Sequence, residues 1–220
     1  MKLVACFGLA LAFGCGAAQG GEFRGSFRLL PNPADASTRI LADDFFYADD
    51  ANVVWKANKG NITDGASIPA ELQALIGTPF DEDFIRAAVI HDHYCDKERR
   101  NRVRSWRSTH RVFYEMLRAA KVPLVKSKLM YYAVYTFGPK WGYLDQGDIC
   151  GANCINNIHP RYFEKLTYSF HDATDEEFMD VVAAVEADPD ISLDTLEKIG
   201  EAHHQSDKSF DFRPYPGTIQ

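Results

Sequence analysis

Two histidines on either side of a basic stretch carry the chemistry this sequence could perform. His91 is followed directly by Asp92, and His110 lies beyond a run holding Lys97, Arg99, Arg100, Arg102, Arg104 and Arg107. Phe84, Ala88, His91 and Cys95 recur at helical spacing, which places His91 on an apolar stripe. His110 sits on a second stripe with Trp106, Phe113, Leu117 and Ala120. If the basic stretch is a short connection, the two helices pack antiparallel and the imidazoles can face each other. The turn Thr63-Asp64-Gly65-Ala66-Ser67-Ile68-Pro69 is rich in small residues, and from it Asp64 could approach the pair.

A buried histidine beside carboxylates can act as a general base, or as a neutral imidazole that ligates a metal. The carboxylate fixes the tautomer and steadies the imidazolium during proton transfer. The candidate catalytic set is therefore His91, Asp92, Asp64 and His110, and a divalent metal is the cofactor such a set can hold. The same residues also make sense as a core polar network, with His91 satisfied by Asp64 or a backbone carbonyl. Two functions follow: a hydrolase with a His/Asp-centred, metal-assisted site, or a non-catalytic structural or binding protein. His93, His159, His171, His203 and His204 read as exposed or loop residues without a role.

The elements that must position these groups can be read in order. Residues 22–57 hold aromatic and β-branched clusters around Phe23, Ile40, Tyr47 and Trp55, with turns at Pro31-Asn32-Pro33 and Asp49-Asp50, and predict strands. Ile62 to Pro69 reads as a connecting loop. Asp81 is a good N-cap for the His91 helix, with Glu82 and Asp83 in its first turn. Ser105 or Ser108 can cap the second helix. Pro123 opens a third, which Gly138-Pro139 ends as a C′ glycine followed by a proline. A loop runs to about His171, then helices over Asp175 to Ala187 and Leu193 to His203, and an irregular end.

The first residues predict export. Met1-Lys2, an apolar run from Leu3 to Cys15, and the small residues Gly16-Ala17-Ala18-Gln19-Gly20 have the order of a secretory signal. Cleavage before Gly21 or before Gln19 suits them. Ala12-Phe13-Gly14-Cys15 loosely follows a lipobox, so an acylated Cys15 is the alternative start. A periplasmic or secreted location follows. Outside the signal lie Cys95, Cys150 and Cys154, an odd number that suggests one disulfide and one free thiol. Cys150 with Cys154 is the first choice, and Cys95 with either is the second.

The net charge of −7 argues against specific nucleic-acid binding. The charges divide unevenly between the basic stretch and the acidic segment Asp172 to Glu201. The two either neutralise each other, or the basic loop makes weak contact with anionic envelope components. No other partner can be read.

The Thr-Asp-Gly-Ala-Ser-Ile-Pro turn, the helix Ala87-Ala88-Val89-Ile90-His91-Asp92, and Leu129 to Val134 together resemble the bacterial and phage family catalogued as domain of unknown function 1353, over about residues 40–141. The resemblance implies no activity, but it makes two departures visible. The family pattern has Tyr where this chain has Cys95, and Ala-Asp where it has Thr109-His110. Substituting His110 for that Asp either turns a His–Asp pair into a metal pair or removes the site. The expected architecture is α+β: a small N-terminal antiparallel sheet packed on a central helical hairpin and a third helix. The expected domains are a signal over 1–20, a core over 21–142 and a helical C-terminal appendix over 143–220.

Overall fold

The computed structural model describes residues 21–66, 76–80, 83–95, 104–143, 154–159, 162–167 and 175–213. The signal segment 1–20, Ser67 to Pro69, the Asp81 cap, His171, most of the basic stretch and Cys150 with its expected bridge lie outside them. The N-terminal third forms two antiparallel three-stranded sheets. One orders β1 (Glu22–Arg24), β4 (Phe45–Ala48) and β5 (Val54–Ala57) as β1-β4-β5. The other orders β2 (Leu29–Pro31), β3 (Arg39–Leu41) and β6 (Ile62–Thr63) as β2-β3-β6. Alternation explains the first: Phe45, Tyr47, Trp55 and Ala57 turn inward while Phe46 and Lys56 face outward. The stretch read as a loop from Ile62 therefore begins as strand, with Ile62 opposite Ile40 and Thr63 opposite Arg39.

Helix α1 (Ile85–Cys95) is buried on nearly every side, including Ile85, Ala87, Ala88, Val89, Ile90, His91, His93 and Tyr94. A helix apolar all round belongs in a core, and α1 lies between the N-terminal strands and α2 (Trp106–Ala119). Backbone donors and acceptors are tied across that contact. Lys56 N–H donates to Tyr94 Oη at 3.0 Å, and Asn61 Nδ2 donates to the Val89 carbonyl at 3.3 Å. This burial corrects the reading of His93 as exposed. Its Nδ1 donates to Asn61 Oδ1 at 3.1 Å and its Nε2 accepts from Asn58 Nδ2 at 3.3 Å, so it is a satisfied core group.

Helix α2 starts where Ser105 caps it, its Oγ accepting from Ser108 N–H at 3.1 Å. Helix α3 (Leu124–Phe137) follows Pro123 and packs along α2. It ends at Gly138 as expected, and Gly138 is extended at φ −68° and ψ 170°, the conformation a following proline imposes. Glycine is needed there because a Cβ would fall 2.1 Å from the Val134 carbonyl oxygen.

The segment read as loop after Pro139 carries a third antiparallel sheet, β7 (Lys140–Tyr143), β8 (Cys154–His159) and β9 (Tyr162–Thr167), in the order β7-β9-β8. Helices α4 (Asp175–Ala187) and α5 (Leu193–His203) occupy their expected spans. Both pack on α3, and tyrosines of α3 clasp them. Tyr131 donates to Glu197, Tyr135 to Glu201 at 2.6 Å, and Tyr132 to Glu177 at 2.9 Å. Arg107 and Arg111 on α2 complete the clasp by pairing with Glu201, Asp194 and Glu197. Acidic segment and basic residues thus neutralise each other here. The end read as irregular includes a short 3-10 turn, Lys208–Asp211, whose Phe210 is buried together with Phe212. Among the described residues no helix is long and apolar enough to cross a membrane. The architecture is α+β.

Candidate functional site

His91 and His110 meet, as the two helical stripes predict. His91 Nε2 lies 2.9 Å from His110 Nδ1, and His110 is fully enclosed. Phe113 lies against the His91 ring at 4.7 Å between centroids, while Trp106 and Trp141 present edge contacts to His110 at 5.7 and 6.2 Å. Trp141 is itself held by its indole N–H donating to the Arg104 carbonyl at 2.8 Å.

One backbone group sets the protonation pattern. His110 Nε2 lies 3.1 Å from the Pro139 carbonyl oxygen, which can only accept. His110 therefore carries its proton on Nε2. Neutral, it has a lone pair on Nδ1, so His91 Nε2 is the donor between the rings. Charge distribution agrees. Burial, the His91 charge and Lys140 hold His110 well below the ordinary histidine pKa. Burial also opposes charge on His91, but the Cys95 sulfur and Asp92 outweigh it and push its pKa up to about 10. The proton of the pair thus resides on His91.

Asp92 stands on the other side of His91, with Oδ1 3.9 Å from Nδ1, and its side chain keeps 22% of its surface in solvent. Thr63 holds it: Thr63 Oγ1 donates to Asp92 Oδ2 at 2.5 Å and accepts from Gly65 N–H at 3.0 Å. Burial raises the Asp92 pKa, while His91 and Thr63 pull it back. Gly65 adopts φ +82°, and a Cβ on it would fall 2.2 Å from the Pro79 carbonyl, so the Asp-Gly turn admits only glycine. Asp64 itself faces solvent and reaches Asp92 through its charge. Of the four expected residues, the structure joins His91, Asp92 and His110, and Thr63 takes the contact position expected of Asp64.

The residue missing from that set is Cys95. It is a free thiol, one helical turn after His91, with Sγ 3.5 Å from His91 Nε2. The four-residue spacing on one helix face was the available signal. His91, Cys95 and His110 offer ligand atoms that all lie within 4.8 Å of one another. Tetrahedral zinc with bonds of ~2.05 Å to nitrogen and ~2.3 Å to sulfur spaces N and N about 3.3 Å, and N and S about 3.6 Å. The observed 3.5 Å fits the second, and the 2.9 Å between nitrogens must open by about 0.4 Å to fit the first. The outer contacts also suit a metal: His110 donates its far N–H to a carbonyl, and Asp92 flanks the far nitrogen of His91.

Residues 40–134 match the model of the family described as Protein of unknown function (DUF1353). The resemblance read from the sequence holds. Two curated relatives of Sinorhizobium fredii are similar to this chain, both described as uncharacterized. Protein y4iH is 52% identical over 135 residues, covering 60% of this chain and 55% of the relative. Protein y4jT is 40% identical over 136 residues, covering 60% of this chain and 39% of the relative. The chain thus spans about half or less of the length of these relatives. No solved structure matches. Cys95 and His110 are the two residues that converge on His91.

Proposed function

We propose that this chain is an exported envelope hydrolase using one divalent transition metal held by His91 Nε2, His110 Nδ1 and Cys95 Sγ. The observation that carries the reading is the convergence of these three atoms in a cluster whose outer nitrogens face a carbonyl and a carboxylate. Three protein ligands with one open position is the donor count of catalytic zinc sites, whereas structural sites close with four. Bound there, the metal supplies a Lewis acid and a water acidified to near neutral pH. The protein's own groups have distinct tasks. Pro139 keeps His110 in the tautomer whose Nδ1 lone pair points at the ligand position. Asp92 lies 3.9 Å from His91 Nδ1, and its negative charge favours a proton on that nitrogen, which leaves Nε2 as the ligand atom. Thr63 holds Asp92, and the solvent-facing edge of Asp92 gives protons a way out. Trp106, Phe113 and Trp141 exclude water behind the imidazoles.

Export rests on the charged, apolar and small-residue order of Met1 to Gly20. A second reading, the non-catalytic polar network, is favoured by the fact that His91 Nε2 and both His110 nitrogens have partners without any metal.

Elemental analysis and ester, amide and phosphodiester reporters distinguish the two. Protein purified without chelator, or reloaded with zinc, is expected to hold one ion per chain. Cys95→Ser and His110→Ala are expected to lower that content at least tenfold while circular dichroism stays unchanged. Wild type that folds yet takes up no zinc, cobalt or copper overturns the metal site and leaves the polar network. A bound ion with no turnover on any reporter overturns hydrolysis alone.

A further inference from the structure

The backbone nitrogen of Gly21 lies at the edge of an acidic cluster, beside the exposed Asp50. It donates to Asp50 Oδ1 at 2.6 Å, just before strand β1 begins at Glu22. Asp49 and Glu115 carry the neighbouring carboxylates, and both add unfavourable charge around Tyr47 together with Asp50. Among the described residues, no lysine, arginine or histidine forms an ion pair with Asp49, Asp50 or Glu115. Asp49 spends its oxygens on neutral donors, accepting from Ala51 N–H, Val53 N–H and Trp55 Nε1–H. Two buried polar atoms of the cluster have no hydrogen-bond partner, Tyr47 Oη and Glu115 Oε2, while the Glu115 carboxylate accepts from the Asp50 backbone N–H and burial raises its pKa.

Tyr47 is fully buried and aimed at Gly21. A Cβ built on Gly21 would fall 1.9 Å from Tyr47 Oη and 2.8 Å from the Ala48 carbonyl oxygen, so no side chain fits at position 21. An internal peptide N–H offers this cluster one proton and no charge. An α-ammonium at the same atom offers three protons and a positive charge. That is the complement of one bonded carboxylate, one idle phenol oxygen and one idle carboxylate oxygen.

We propose that the Gly20–Gly21 bond is the processing site, and that the Gly21 α-ammonium is the counter-ion of the Asp49, Asp50 and Glu115 cluster. The reaction is hydrolysis by a signal-peptidase-class enzyme. The C–N bond breaks, water's hydroxyl goes to the Gly20 carbonyl carbon, and its proton goes to the Gly21 nitrogen. At neutral pH that amine takes up a further proton. Gly20 and Ala18 are the small residues such a peptidase accepts at the positions before the cut. The inference rests on the export reading and is independent of the metal site. It favours Gly21 over the other two starts the sequence allows, Gln19 and an acylated Cys15, because both of those leave an uncharged peptide nitrogen at Gly21.

Intact-mass measurement on the full chain expressed in a Gram-negative bacterium and recovered from its envelope tests the site. A mass beginning at Gly21 is expected. Uncleaved Met1 in the cytosol overturns export, and a cut at any other bond, or lipid on Cys15, overturns this site alone. The counter-ion role is tested by thermal melts of the chain starting at Gly21 beside the same chain extended by Gln-Gly. The free amine is expected to raise the melting temperature by several degrees, and Asp50→Asn is expected to erase most of that difference. Equal melting of the two forms, or a difference that survives Asp50→Asn, overturns it.

Discussion

Lys140 opens strand β7, next to the Pro139 carbonyl that holds His110, and its replacement by methionine gives a sharp test of the electrostatics behind the site. The side chain is fully enclosed. Its Nζ donates to the Thr136 carbonyl at 2.7 Å and lies 4.3 Å from the centre of the Phe210 ring. Burial lowers its pKa from 10.5 to about 8, with Asp207 opposing the shift and Arg107 adding to it. At about 1.4 kcal/mol per pH unit, that gap amounts to about 3 kcal/mol. The unfolded chain keeps this proton up to about pH 10.5, whereas the folded chain releases it above about pH 8. Between those values the unfolded state binds more protons, so stability rises with pH through that window. Below pH 8 the folded state bears the full penalty. Lys140→Met removes the titration and adds a constant offset from the lost Thr136 bond. Its stability relative to wild type is therefore highest near pH 7 and falls by about 3 kcal/mol toward pH 11. In a domain of this size the difference between the two melting temperatures should shrink by roughly 6–12 °C over that range. Paired urea or thermal titrations at pH 7, 8, 9 and 10 measure it, and other titrating groups cancel in the difference. A flat difference would mean that Lys140 is solvated or paired in the folded state, and would remove its share of the field that keeps His110 neutral, leaving burial and the His91 charge.

The turn that holds Asp92 should be equally sensitive. Gly65→Ala forces a side chain at positive φ against the Pro79 carbonyl and is expected to cost about 2 kcal/mol or more, read as a lower urea midpoint; a neutral effect would show that the turn relaxes freely. Thr63→Val leaves Asp92 Oδ2 without its donor and is expected to destabilise the fold by about 1–3 kcal/mol, with Thr63→Ser restoring stability. If valine and serine variants melt alike, the Thr63 bond does not hold Asp92.

The facing histidines were legible because a helical stripe fixes which residues share a face, and a short connection brings neighbouring stripes together. Cys95 was legible by the same rule, and needed only the step from the stripe to its ligand chemistry. Asp64 and Thr63 are adjacent, and only the backbone twist at Gly65 decides which oxygen turns inward, which spacing cannot express. His93 was misplaced because a helix packed on both sides has no wet face, so a polar residue on it gives no sign of exposure. The strands after Pro139 were missed because Lys140, Gly142 and the mixed polar run Cys154 to His159 give no clean two-residue alternation. Lys140 is buried there only because aromatic rings from distant segments close over it.

The clasp between helices α3 and α5 has a built-in ambiguity of alignment. Tyr131 and Tyr135 are one turn apart on α3, and so are Glu197 and Glu201 on α5. Sliding α5 by one turn, about 5.4 Å, would still leave one tyrosine opposite one glutamate. The hydroxyl bonds alone therefore specify the spacing of the teeth and not which tooth meets which. Gly200 removes the ambiguity. A Cβ there would lie 2.4 Å from Thr136 Oγ1, and a one-turn slip would bring Leu196 or His204 to that gap. The glycine thus works as a key that admits one setting of the ratchet, and even a methyl group there would force Thr136 to move.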